Sequence, residues 1–502
     1  MSRAPRAAAA PAPAETTRRP PPWWRRARRP RLPSGQIGKI AAYGSTRAVA
    51  EGLIGLRGIA LAGVLGPERF GVWALFRLVL TYGTFVGLGM LRGLELEVAR
   101  ARGPGDAAVR EAWGRTAAGC TLALFGLISL GAIAAAGVVG EAWLRELLWA
   151  VAAGLLLERL WFYGLQYLRA AGSLQRFAVL ELVQTVGQVV LTLALAAVWG
   201  LGGAFLGFAL AHLVALAFLT RRAPFRPALD LGRLRELLAI GVPLSVTQLL
   251  TAMLVTVDRL FVGAMLGIAA LGQYAFAVSV ASLGATAALI VRTVVFPDVY
   301  GKVGKEDGGG IARAHLAGTV RPFVLVLSPL AGGAALVLVL LAALALPQYL
   351  AAAGPACVFV FTGIAQGAVN LAVLAVVAAR RERALPLLTL AALLLNAGLA
   401  YASLALGFGM LGLAAGAVVG RLAHAAGVLT LVAAAAGVAA PAATAASILW
   451  PLAWCAAVTA AVSVTLPPTD PATFLQAAAA YLIGVTPVLA VALRAVLRLR
   501  RG

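Results

Sequence analysis

The most informative stretch of this chain is Leu65-Gly66-Pro67-Glu68-Arg69-Phe70-Gly71-Val72-Trp73-Ala74. It recurs 201 residues later as Leu266-Gly267-Ile268-Ala269-Ala270-Leu271-Gly272-Gln273-Tyr274-Ala275. Both copies read L-G-x4-G-x-aromatic-A, and each lies between two hydrophobic segments. A repeat this long in an apolar chain predicts a membrane protein built from two similar helical bundles.

A second repeat supports the same interpretation. Gly200, Gly203 and Gly207 form a G-x2-G-x3-G motif, which returns at an offset of 209 residues as Gly409, Gly412 and Gly416. Small residues at this spacing let helices approach closely in lipid. Because the two offsets are nearly equal, we infer two lobes of six spans each, in the same orientation.

The composition excludes a soluble domain. Of the 502 residues, 61% are apolar and only 12% are charged, and the mean hydropathy is +0.92. A soluble chain of this length could not hide so much apolar surface, so lipid is the expected solvent. The net charge of +23 could indicate nucleic acid binding. The basic residues, however, lie at the ends of hydrophobic segments and not on one face.

We therefore expect an all-α polytopic membrane protein with about fourteen transmembrane helices. The predicted domains are a disordered basic arm (1–35), an N-lobe of six spans (36–220), a linker (221–236), a C-lobe of six spans (237–436) and a final helix pair (445–497). The predicted spans are 40–63, 70–91, 116–139, 147–168, 177–198, 204–220, 238–265, 272–296, 322–346, 354–378, 386–406, 412–436, 447–466 and 475–496.

The connections between spans alternate in charge. One set, together with the arm and the C-terminal tail, contains 33 of the 42 basic residues, whereas the other set is short and contains only Arg69 and Arg145. The positive-inside rule places the first set in the cytosol. We expect a bacterial inner-membrane protein with both termini cytosolic, and this distribution excludes a nucleic acid partner.

Charged residues inside spans are costly, and they usually face a bundle interior or a wet cavity. The candidate binding residues are Arg47, Arg57, Arg77, Arg259 and Arg292. Counting Arg159 and Arg421, seven arginines are predicted at membrane depth, against the four acidic residues Glu51, Glu158, Glu181 and Asp258. Guanidinium groups match the bidentate acceptors of a diphosphate. The excess of positive charge therefore predicts an anionic cargo.

Structural roles compete with binding at several of these positions. Arg57, Arg259 and Arg292 are close enough to a membrane boundary to snorkel, and Arg47 can form an ion pair with Glu51 four residues away. Glu158 and Arg159 are adjacent and point in different directions, so we expect separate interhelical partners for them. His212 and Arg421 correspond in the glycine repeat, and packing roles are expected there.

Two polar stripes predict cavity walls, with interhelical hydrogen bonds as the alternative. Gln184 and Gln188 lie on one face of the fifth span, and Gln248 and Thr251 lie on the seventh. Glu51 and Asp258 are candidates for coupling to a gradient of H⁺ or Na⁺ and for orienting the binding arginines. The sequence contains no metal-binding motif and predicts no bound cofactor.

The segment from Arg57 to Leu75, RGIALAGVLGPERFGVWAL, resembles the first turn of polysaccharide-lipid flippases of the Wzx type. These belong to the multidrug/oligosaccharidyl-lipid/polysaccharide exporter superfamily. Pro243 in GVPLS and Asp258 in VDRLFVGAMLG resemble the start of the second lobe in that superfamily. The resemblance covers residues 38 to 497. It implies two six-helix lobes that rock between inward- and outward-open states, with an undecaprenyl-diphosphate-linked glycan as cargo.

We accordingly expect a monomeric flippase for a lipid-linked oligosaccharide, working among membrane lipids and with polysaccharide-assembly proteins. Two alternatives from the same superfamily stay open: a lipid II flippase and a multidrug/cation antiporter. A polytopic glycan polymerase or ligase is a third. The chain has no Walker A motif, and the outer loops are too short to hold catalytic groups, so an enzyme is not expected.

Overall fold

The computed structural model describes residues 34–101, 103, 105–219, 225–282, 288, 291 and 308–499, without the side chains of residues 34–48, 51, 174 and 495–499. Most of the basic arm, and the side chains of Arg47, Glu51 and Arg292, lie outside the described residues. The helices are α1 (Ser34–Val86), α2 (Met90–Arg100), α3 (Ala107–Val138), α4 (Ala142–Ala170), α5 (Leu174–Leu219), α6 (Leu231–Met265), α7 (Ile268–Ser282), α8 (Gly308–His315), α9 (Arg321–Ala345), α10 (Ala353–Ala378), α11 (Leu385–Ala405), α12 (Gly409–Ala435), α13 (Pro441–Thr465) and α14 (Pro471–Leu499).

Two of the long helices are hairpins. Helix α1 leaves helical geometry at Gly66 (φ 70°, ψ 169°), and α5 does so at Gly200 (φ 61°, ψ −135°). The Arg57 guanidinium lies 5.5 Å from the Trp73 ring, although sixteen residues of straight helix would separate them by about 24 Å. A positive φ favours glycine because it has no Cβ, so these two glycines reverse the chain.

The span count agrees with the prediction once the hairpins are considered. Eleven helices within the described parts of the chain are long and apolar enough to cross a membrane. Helices α1 and α5 each provide two crossings, and α7 covers the first part of the predicted eighth span. The chain is thus an all-helical, multi-pass membrane protein, and each predicted span falls at least partly on a helix.

The helices pack into two groups. Helices α1 to α5 pack mainly against one another, and we call this group the N-lobe. The C-lobe consists of α6, which packs against α11, together with α9, α10 and α12. Helices α13 and α14 both lie along α9. Helix α13 also contacts α10 and α12. The largest apolar core lies in the C-lobe, where α10 is buried over most of its length.

The glycine motifs allow close helix packing. Within the α5 hairpin, Gly203 lies against the backbone of Leu195 and Gly207 against that of Leu191. In the C-lobe, Gly416 of the motif lies against Leu399 of α11, and Gly420, one turn further along α12, lies against Asn396. In lipid, such backbone proximity replaces the hydrophobic effect as a source of helix association.

Gly207→Ala is expected to destabilise the N-lobe, because its Cβ would collide with the Leu191 carbonyl oxygen. Overpacking of this kind costs about 1–3 kcal/mol. Thermal unfolding in detergent should show a lower Tm than the wild type. Gly187→Ala on the same hairpin is the control, because its Cβ would meet nothing within 4 Å. An equal Tm for both variants would contradict the packing role of Gly207.

The lobes meet at both ends of the bundle. We call the end with the Gly66, Gly200 and Gly267 turns the turn end, and the opposite one the basic end. At the turn end, Gly71 lies against the Ile268 carbonyl, and its repeat mate Gly272 lies against the Pro67 carbonyl. The offset of 201 residues relates these two contacts, so the repeated motif packs against its own copy.

The contact at the basic end does not involve the repeated motif. Gly89 at the start of α2 lies against Gly241 of α6, and Gly93 lies against Leu237. Midway between the ends, the Tyr82 and Thr256 hydroxyls are 2.6 Å apart across the lobes. The second span and α6 therefore stay in contact from the middle of the bundle to its basic end.

Candidate functional site

A group of charged side chains lies inside the N-lobe, where the α1 hairpin faces α4. Arg77 Nη1 lies 3.6 Å from Glu158 Oε1, and Arg159 Nη2 lies 2.7 Å from Glu158 Oε2. Arg159 Nη1 also donates to the Thr84 hydroxyl at 2.6 Å. Arg57 is close enough to interact electrostatically with Arg77 and Glu158. We call Arg57, Arg77, Glu158, Arg159 and His212 the N-lobe cluster.

Arg57 is the most isolated member of the N-lobe cluster. Its side chain is 3% exposed, and its Nε and Nη1 have no hydrogen-bond partner among the described atoms. Its guanidinium lies over the Trp73 ring, and that of Arg77 lies 5.4 Å from the Phe208 ring. Cation–π contacts offset only part of the cost of burying a guanidinium.

His212 connects the N-lobe cluster to the polar stripe of α5. Its Nδ1–H donates to the Phe208 carbonyl at 2.9 Å, and its Nε2 accepts from the Gln184 amide at 3.0 Å. The imidazole is then neutral, because Nε2 carries no proton. With three guanidinium groups and one carboxylate, the N-lobe cluster has a formal excess of two positive charges.

A second polar group lies at the equivalent depth of the C-lobe. Asp258 is fully buried and accepts hydrogen bonds from the Tyr274 hydroxyl (2.8 Å) and the Arg259 backbone N–H (2.9 Å). Arg421 Nη2 lies 3.8 Å from Asp258 Oδ2, and its guanidinium lies 4.9 Å from the Phe359 ring. We call Asp258, Tyr274 and Arg421 the C-lobe cluster.

The two clusters are related by the sequence repeat. Arg57 and Asp258 are 201 residues apart, as are Trp73 and Tyr274, and His212 and Arg421 are 209 apart. The repeat therefore places a charged residue, an aromatic residue and a basic residue at equivalent points of each lobe. The charge is inverted at the first pair, so the N-lobe keeps the greater positive excess.

The remaining predicted residues lie on α5 and α6. Gln188 is buried one turn from Gln184 on α5. Arg259 is half-buried beside the C-lobe cluster, with its Nε unpartnered among the described atoms. Gln248 faces the other lobe, and with its amide oxygen turned toward Arg92 it accepts from Nε (3.1 Å) and Nη2 (2.9 Å). Thr251 donates to the Thr247 carbonyl of its own helix at 2.8 Å.

Glu158 and Arg159 have the separate interhelical partners that we expected, Arg77 for the carboxylate and Thr84 for the guanidinium. The two neighbours also bond to each other, which we did not expect. Adjacent side chains on a helix diverge by about 100°, yet a long Arg side chain can reach back to its neighbour. Sequence reasoning missed Trp73 and Tyr274, although the aromatic position of the repeat was already visible.

Comparisons with known proteins agree with this architecture. Residues 60–337 match the model of a family described as Polysaccharide biosynthesis protein. No curated protein sequence matches the chain. Among solved structures, the inward-facing conformation of a multidrug resistance MATE family transporter of the MOP superfamily is similar, with 15% identity, 78% of this chain and 96% of that chain covered, and a TM-score of 0.59.

Two further structures have the same fold. A mutant of the Vibrio cholerae MATE transporter VcmN is 17% identical, covers 80% of this chain and 98% of its own, and has a TM-score of 0.53. An outward-facing MATE family transporter of the MOP superfamily is 17% identical, with 80% and 96% covered and a TM-score of 0.51. The chain belongs to the polysaccharide biosynthesis protein family, and its membrane-spanning fold is that of the MATE transporters.

Proposed function

We propose that this protein is a flippase that moves an undecaprenyl-diphosphate-linked oligosaccharide from the inner to the outer leaflet of the bacterial cytoplasmic membrane. The main support for this proposal is the N-lobe cluster, in which Arg57 is buried with two unpartnered guanidinium nitrogens among the described atoms. A phosphoryl group would supply the missing acceptors, and Arg is the residue best matched to it. Family membership favours a glycan as the rest of the cargo.

The proposed mechanism is alternating access. The lobes would separate at the basic end, which we place in the cytosol with both termini, and the diphosphate would contact the arginines of the N-lobe. The lipid tail would stay in the bilayer. Closure of the basic end and parting of the repeated motifs at the turn end would then release the headgroup outside. The protein would work as a monomer, handing its cargo to polysaccharide-assembly proteins.

The proposed energy source is a gradient of H⁺ or Na⁺. Of the two candidate coupling residues, Glu51 and Asp258, the structure describes only the side chain of Asp258. Asp258 already accepts from Tyr274 and lies near Arg421. A proton or a cation would therefore have to compete with these groups for the carboxylate. Such competition would couple occupancy of Asp258 to the packing of α6 against α7 and α12.

A lipid II flippase is the second candidate, because the same diphosphate would engage the same arginines. A cation antiporter is less favoured, since the N-lobe cluster carries excess positive charge and would repel a cationic drug. Accumulation of the lipid-linked intermediate in a deletion strain would identify the cargo. Peptidoglycan precursors, in place of other glycans, would select the second candidate.

Arg57→Gln is expected to reduce flipping of a fluorescent lipid-linked oligosaccharide in proteoliposomes by roughly 10- to 150-fold, because a hydrogen bond to a charged group contributes about 1.5–3 kcal/mol. Arg57→Lys keeps the charge but loses the planar fork, so it should recover only part of the activity. Arg233→Gln, which removes a surface ion pair with Asp230, is the matched control. Wild-type flipping by Arg57→Gln would remove the N-lobe cluster from the mechanism.

A further inference from the structure

A cavity of about 100 Å³ lies between the lobes near the basic end. Its walls come from the end of α1, the start of α2, the middle of α3, the second half of α4 and the middle of α6. Polar groups on both lobes line it: Thr84, Arg92, Arg159 and Gln166 from the N-lobe, and Ser245 and Gln248 from the C-lobe. It is separate from Arg57, although Arg159 belongs both to its wall and to the N-lobe cluster.

The cavity coincides with a break in the second span. This span runs from the Gly66 turn to Val86, about 30 Å of helix, and resumes at Met90. Between them, Leu88 (φ 46°) and Gly89 (φ 76°) have left-handed backbone. A residue with a Cβ, such as Leu88, is strained there. Gly87, Gly89 and Met90 at this break line the cavity.

The hydrogen-bonding groups in the wall are incompletely satisfied. Arg159 and Gln166 are each 5% exposed, yet Arg159 Nε and Gln166 Oε1 have no partner within the described part of the chain. Two residues of the cavity wall thus have one unused donor and one unused acceptor. Buried polar groups are rarely left without a partner, so this pair indicates a ligand or ordered water.

The charged groups of the wall are already paired. Arg92 donates to Glu95 (3.0 Å) and to Gln248, and the terminal nitrogens of Arg159 bond to Glu158 and Thr84. A fully ionised phosphate could accept from Arg159 Nε but has no proton to donate to Gln166 Oε1. Hydroxyl groups of a sugar can do both, since each hydroxyl is a donor and an acceptor.

The size and the apolar part of the wall also fit a sugar ring. About 100 Å³ corresponds to roughly seven water positions, or about 200 Å³ of liquid water, which is room for one monosaccharide. The rings of Phe85, Phe125 and Phe162 line the same cavity. Aromatic rings present an apolar face on which the C–H groups of a pyranose can pack.

We propose that this cavity is a sugar subsite, which takes a monosaccharide of the glycan headgroup between the broken second span and α6. The inference rests on the proposed function and adds to it, because it assigns sugar recognition to a set of residues of which only Arg159 also belongs to the N-lobe cluster proposed for the diphosphate. Since Ser245 and Gln248 belong to the C-lobe, an occupied subsite would also hold the two lobes in a defined relation at the basic end.

The test compares two lipids that differ only in the sugar. The full-length protein in nanodiscs is titrated with undecaprenyl diphosphate and with undecaprenyl-diphosphate-linked N-acetylglucosamine. We expect the wild type to bind the sugar-bearing lipid roughly threefold to tenfold more tightly, the size of effect of one or two neutral hydrogen bonds. Gln166→Met should abolish this preference while leaving the affinity for the sugar-free lipid unchanged.

Two further variants sharpen the result. Ser245→Ala removes one hydroxyl from the opposite wall and replaces Gln166→Met if that variant fails to fold. Gln366→Met on α10, whose amide bonds to Asn370, is the matched control and should bind like the wild type. A wild type without preference for the sugar-bearing lipid would overturn the subsite. So would a variant at Gln166 or Ser245 that keeps the preference, or one that loses both affinities equally.

The same proteins in proteoliposomes separate this inference from the proposed function. If the preference exists and is lost in Gln166→Met, but the wild type flips no lipid-linked glycan, the flippase proposal fails and the subsite stands. If the wild type flips and Gln166→Met flips with an unchanged KM, the subsite fails and the flippase proposal stands. We expect a raised KM with kcat retained at saturating cargo.

Discussion

Gly272→Ala is expected to open the turn end of the bundle and to abolish most transport. A Cβ at this position would collide with the Pro67 carbonyl oxygen in the other lobe. Overpacking costs about 1–3 kcal/mol, and the cost falls only on the conformation in which the repeated motifs touch. In an alternating-access cycle, this shifts the equilibrium by roughly 5- to 150-fold toward the conformation that is open at the turn end.

Cysteine labelling can measure this shift. Ser279 lies against Gly58 between the lobes, so Ser279→Cys should react slowly with an aqueous maleimide in the wild type and faster in Gly272→Ala. The background needs Cys120, Cys357 and Cys455 replaced, although all three are buried.

The repeat supplies both the second test and the control for the turn end. Gly71→Ala should behave like Gly272→Ala, because its Cβ would meet the Ile268 carbonyl in the symmetric contact. Gly202→Ala is the matched control at the same end, where a Cβ would meet nothing within 4 Å. Wild-type labelling and transport in both motif variants would show that this contact does not govern opening.

Asp258→Asn is expected to destabilise the C-lobe by about 3–5 kcal/mol, the cost of leaving a buried charge without its partner. Asp258 is fully buried, and the Arg421 guanidinium near it is 5% exposed. Thermal unfolding in detergent should therefore show a large decrease in Tm. Transport should fall as well if this carboxylate couples the cycle to a cation.

A double-mutant cycle separates the ion pair from the hydrogen bonds around it. Arg421→Met alone leaves the Asp258 carboxylate with two donors, Tyr274 and the Arg259 N–H, so its cost should be smaller. The double variant Asp258→Asn/Arg421→Met should recover much of the stability, because it leaves no uncompensated charge. Additive losses in the double variant would show that the two side chains do not interact.

Much of the candidate site could be predicted from the sequence. The offset of 201 residues that relates Gly71 to Gly272 also relates Arg57 to Asp258, so the equivalence of the two clusters could have been found by counting. Arg57, Arg77, Arg259 and Asp258 were identified because charges inside apolar spans are conspicuous. Gln166 was not identified, because a single glutamine near a basic loop carries no comparable signal.

The amino-acid sequence by itself determined which segments cross the membrane, where the hairpins turn and which charges fall inside apolar spans. Those properties depend on local hydropathy, on glycine at left-handed positions and on the repeat. Only the tertiary structure decided that Glu158 faces Arg77, that Gln166 and Ser245 line one cavity, and that the second span is broken there. A helix that is apolar on all sides has no preferred rotation about its axis in lipid. Its rotation is therefore set by close packing and by polar pairing with helices that are distant in the sequence.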